Sequence, residues 1–125
     1  MSIDDQDMDK RLHSAFKYEP EYLFYLLGSI GSGSTQPQSA GEATQLGKDF
    51  FARFQKQLKK AICSKGGPYD NFLRGLTAQK DLPKLMVLSI LGSSPEIAAM
   101  AAAKMISIYL ALIILKSGVG AYCEE

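Results

Sequence analysis

Residues 28–35, Gly-Ser-Ile-Gly-Ser-Gly-Ser-Thr, repeat the glycine spacing of a phosphate-cradling loop, in which backbone N–H groups and one lysine hold the phosphates. Ser34 stands where that lysine is needed, and Gln36-Pro37-Gln38-Ser39 follows in place of a helix start, so the segment reads as a flexible connection. Asp5, Asp7 and Asp9 alternate as calcium ligands do in an EF-hand loop, yet Lys10 occupies the required glycine and Phe16 the closing glutamate. These acids fit the positive end of a helix or a solvated face instead. His13 is the single histidine, so neither a Ser-His-Asp nor a Cys-His arrangement is readable, and no second histidine could share a metal. No cofactor and no metal are expected, and with no catalytic constellation in view the chain leans away from an enzyme.

Cys63 and Cys123 lie 60 positions apart without a neighbouring Cys or His, which excludes C-x-x-C redox chemistry and the usual zinc spacings. The expectation is two reduced thiols in a cytoplasmic protein, because residues 1–5 are acidic and carry no apolar signal core. A bridge between the two is the alternative. Lys104 sits among Ala, Met and Ile, where an unpaired ammonium would lose its charge and could turn nucleophilic. The plainer reading lays its stem along apolar surface and sends the ammonium to water or to a carboxylate.

The strongest local charge lies between residues 48 and 65, with six cations against the single acid Asp49. Lys48, Arg53, Lys56, Lys59 and Lys60 share one side of a helix over residues 44–63, opposite Leu46, Phe50, Phe54, Leu58, Ala61 and Ile62. That face is either simply solvated or meets an acidic partner, anionic lipid or phosphate. Nucleic acid is the least expected of these, since the chain has three arginines and only Arg74 follows the Gly66-Gly67 turn.

The elements that carry these residues read as helices. A chain of 125 residues, 46% hydrophobic, 22% charged and with a net charge of +1, fits one globular domain that needs no metal or disulfide staple. A short helix is expected near residues 4–18, and the apolar run Tyr22 to Leu27 is read as helix over strand, starting at Pro20. A flexible connection spans about 28–43. After Gly66-Gly67-Pro68, a turn of helix carries Phe72 and Leu73 inward, and residues 82–91 form an apolar helix. Ser94, Pro95 and Glu96 then start a long apolar helix, about residues 95–116. The fold class is therefore all-α, a small bundle of about five helices around that long C-terminal helix.

Residues 97–115 hold one charge, Lys104, and as a helix would span about 28 Å, near the hydrocarbon thickness of a bilayer. Eight Ile and Leu side chains favour insertion by roughly 0.3–0.6 kcal/mol each, and a central lysine opposes it by about 3 kcal/mol, so the sum is near zero. A soluble core helix is the leading reading. Ala99, Ala103, Ser107 and Ala111 recur every fourth position and mark where a neighbouring helix packs closely. The expected function is a non-enzymatic helical interaction module that binds a protein partner or itself. The alternative is a membrane-active protein that inserts the hairpin 82–115 and rests helix 44–63 on anionic lipid.

Overall fold

The computed structural model describes residues 5–31 and 39–124. Residues 32–38, the middle of the expected flexible connection, lie outside them, as does the side chain of Asp5. Among the described residues every regular element is helical: α1 (Asp5–Phe16), α2 (Pro20–Gly31), α3 (Ala40–Arg53), α4 (Gln55–Cys63), α5 (Pro68–Leu73), a 3-10 turn (Gln79–Asp81), α6 (Leu82–Ser93), α7 (Pro95–Ala98), α8 (Ala103–Ser117) and α9 (Val119–Glu124).

The core is organised on α8. Ile106 to Ile114 are buried without interruption, because α2 and α6 both pack on this helix and α1, α7 and α9 close the remaining sides. A helix covered all round needs no polar face, which is why its sequence shows no helical period. Among the described residues no helix is long and apolar enough to cross a membrane. Met86, Val87 and Ile90 of α6 are fully buried and fill the interior with α8.

The single helix expected over 95–116 is corrected to two. α7 is one turn long, the chain turns through Ala99 to Ala102, and Ala102 adopts the left-handed conformation at φ 59° before α8 begins. Left-handed alanine costs roughly 1–2 kcal/mol, and a run of alanines favours helix, so local propensity does not account for the break. The Ser94 hydroxyl accepts from the Ile97 N–H at 3.4 Å and donates to Gln57 Oε1. Glu96 accepts from Gln57 Nε2 at 3.2 Å and pairs with Arg53 at 3.5 Å, while Ile97 is fully buried. These contacts tie α7 to α4 and to the end of α3.

The helix expected over 44–63 begins earlier and bends. Ser39 caps α3, its Oγ accepting from the Glu42 N–H at 3.1 Å. Phe54, at φ −98° and ψ 10°, sits between α3 and α4. Its N–H still reaches Phe50 O at 3.2 Å, and the Leu58 N–H reaches Phe54 O at 2.9 Å, so the axis bends without losing its ladder. The bend keeps Phe50, Phe54, Leu58, Ala61 and Ile62 all in the core.

Two further expectations are corrected. Gly28 to Gly31 belong to the last turns of α2 and Ala40 to Ala43 to the first turn of α3, so the connection is confined between them. Cys63 and Cys123 are bonded, with Cα atoms 5.4 Å apart, where reduced thiols were expected. Sixty positions of sequence say nothing about distance. Docking α9 on α4 brings the two sulfurs together, and Tyr122 helps to seat α9 by donating to Gln55 Oε1 at 3.1 Å.

Candidate functional site

The five cations of the 44–63 face do not form one free surface. Lys48 pairs with Glu21 of α2 at 2.9 Å and lies over the Phe24 ring, 5.9 Å from its centroid. Arg53 pairs with Glu96 and stacks on Phe54 at 4.9 Å, and Lys59 lies over Tyr122 at 5.2 Å. These three therefore already face groups of α2, α7 and α9. Lys56 and Lys60, four residues apart on α4, are exposed.

The small-residue stripe is also divided. Ala99 is exposed in the turn before α8, Ala103 is half-buried at its start, and only Ser107 and Ala111 reach the core. The Ser107 hydroxyl is fully buried and has no hydrogen-bond partner among the described residues. A close helix approach lies elsewhere, between α2 and α3. A Cβ on Gly28 would stand 1.7 Å from Ala43 O, and one on Gly47 would stand 1.9 Å from Phe24 O. The Gly- and Ser-rich residues after Gly28 make it look like part of a linker in sequence. The signal that reading passes over is the spacing of Ala43 and Gly47, two small residues one helical turn apart.

Lys104 is not sealed in the interior. Its side chain is 36% exposed, and its Nζ reaches Asp7 Oδ2 at 3.2 Å. Arg11 Nε reaches the same oxygen at 2.9 Å, so two cations on α8 and α1 share one carboxylate. The hydrogen bonds from Arg11 and Lys104 hold the Asp7 carboxyl below the usual aspartate value of 3.8. A depressed native pKa contributes stability that is present above the unfolded pKa and lost as pH falls through the native one. Asp7→Asn is therefore expected to destabilise the protein at neutral pH and to match wild type once both are acidified well below about pH 4. Thermal melts across that range check it, and a gap between the two chains that persists in acid would contradict it. Burial, with Tyr18 and Tyr22 adding, pushes the Tyr109 phenol above its ordinary pKa, which keeps it neutral.

The aspartate alternation places Asp7 and Asp9 on α1, with Asp7 turned to Arg11 and Lys104, and Asp9 to Lys84 at 3.4 Å. Among the described residues no cluster of three His, Cys, Asp or Glu could hold a metal ion.

What the sequence did not suggest is a cleft around the end of α1. Phe16 is 53% exposed, and Lys116 of α8 lies over its ring at 4.8 Å. On one side of Phe16 a cavity of about 550 Å³ is walled mainly by apolar groups of α5, α6, α8 and α9. On the other, a cavity of about 600 Å³ has Leu12 and Pro83 in its wall and His13, Lys17, Lys80, Lys84 and Asp9 around it. Phe16, Lys80 and Pro83 border both. Leu73, expected to point inward, is 64% exposed at the lip of the apolar side.

No known family model, curated protein or solved structure matches this chain.

Proposed function

We propose that this chain is a non-enzymatic helical interaction module that holds an acidic protein partner against the outer face of α4. The observation that supports this most is the charge pattern of that helix. Its sequence, Gln-Lys-Gln-Leu-Lys-Lys-Ala-Ile-Cys, contains three lysines and no acid. Lys56 and Lys60, exposed and four apart, repel each other by a few tenths of a kcal/mol. An acidic surface laid over the pair removes that cost and gains attraction that salt screens. The Cys63–Cys123 bridge supports an oxidising working environment in place of the cytoplasm expected from sequence.

The test is cross-linking of the intact chain in its native extract, beside the double variant Lys56→Glu/Lys60→Glu, with sedimentation of both proteins alone. Both lysines are exposed, so the variant keeps its fold. The expected result is a defined partner, or a self-associated species, whose affinity drops about tenfold on double charge reversal and falls with added salt. A wild-type chain that stays monomeric at high concentration and cross-links to nothing that the variant does not would overturn the reading.

A further inference from the structure

We infer that the cleft around Phe16 binds a single-chain anionic amphiphile of the class of a long-chain fatty carboxylate. This site is separate from the α4 face and uses none of its lysines. Two hollows meet at the Phe16 ring, both walled mostly by apolar groups, and the charged side chains gather along one of them.

The apolar half has a buried floor, Leu82 and Val119, and an exposed lip, Leu73, with Phe72 and Leu115 between them. Its volume of about 550 Å³ lies within the roughly 300–1,000 Å³ of small-molecule sites. A hydrocarbon chain laid in this space covers the exposed parts of Phe16 and Leu73 and takes apolar surface out of water.

The other half carries Lys17, Lys80 and Lys84, with Lys116 beside Phe16. The one carboxylate there, Asp9, is already paired with Lys84 at 3.4 Å. The surplus is positive. An occupant that satisfies both halves has a tail and a head of distinct chemistry, and the head is an anion. The wall is also formed before any ligand arrives, since the bridge at Cys123 anchors α9 four residues beyond Val119.

The experiment is calorimetric titration of the full, disulfide-bonded chain with octanoate, dodecanoate and hexadecanoate, each below its micelle concentration, and with hexadecyltrimethylammonium as a probe of equal tail and opposite head. Hexadecanoate is expected to saturate at one per chain, with affinity rising along the series by up to about fourfold per methylene. The cationic probe is expected to bind about tenfold more weakly. Leu73→Glu weakens hexadecanoate, and Lys80→Glu narrows the preference between heads about fivefold. Both positions are exposed, so circular dichroism of the variants is expected to match wild type. Absence of saturable one-to-one binding of hexadecanoate, equal binding of the two heads by wild type, or wild-type behaviour of both variants would each overturn the proposal.

Discussion

Gly28→Ala is expected to melt at least about 8 °C below the wild-type chain. The added methyl would sit 1.7 Å from the Ala43 carbonyl oxygen, which is backbone, so no side chain can rotate away to admit it. α2 and α3 have to separate, at a cost of about 3 kcal/mol, the upper end for overpacked sites. Alanine returns about 1 kcal/mol of helix propensity. The net loss is about 2 kcal/mol or more, at roughly 4 °C per kcal/mol for a domain of this size. Gly92→Ala is the matched control. It lies in α6 with nothing within 4 Å of an added Cβ, so only the propensity gain remains and the melting temperature rises slightly. If Gly28→Ala proves as stable as Gly92→Ala, the close crossing of α2 and α3 is not there.

Removing the Cys63–Cys123 bridge is expected to cost more. The bridge closes a loop of 60 residues of sequence separation, and in the chain-entropy view the cross-link disfavours the unfolded state by about 4 kcal/mol. Reduced wild type and the Cys63→Ser/Cys123→Ser chain are therefore expected to melt together, roughly 16 °C below the oxidised protein. The loss should appear first at α9, which Tyr122 and the bridge hold against α3 and α4. Thiol titration of denatured, unreduced protein is expected to find no free cysteine. Two titratable thiols, or melts that superimpose with and without reductant, would rule the bridge out.

Local chemistry made much of this protein legible in its sequence. Pro20 and the Ser94-Pro95-Glu96 start both open helices, Gly66-Gly67 follows the end of α4, and the 3.6-residue period of Phe50 to Ile62 marks the buried face across α3 and α4. Each of these signals depends on neighbours within a turn or two, which is the range over which sequence order and spatial order agree. The all-α class follows from them. The absence of a lysine in the glycine-rich run, and of a glycine and a glutamate in the aspartate alternation, is equally local and needs no coordinates to read.

Tertiary structure decided the features that depend on distance. Nothing around Ala102 signals a break in a run of alanines. α7 before the break is bonded to Gln57 and Arg53, residues some forty positions away. Gly28 reads as linker from its neighbours and becomes a contact point only when α3 lies across it. Lys48, Arg53 and Lys59 share a helix face on paper, yet they are drawn to Glu21, Glu96 and Tyr122 by where those residues lie in space. The cleft around Phe16 gathers residues from both ends of the chain. The pairing of Cys63 with Cys123 is of the same kind. By itself the sequence determined the all-α class and the buried face of α3 and α4, because helix formation and amphipathicity are written within a few residues. Only the packed chain decided which helices cross closely, which charges are already engaged and where a ligand could enter, because those depend on residues that sequence order keeps far apart.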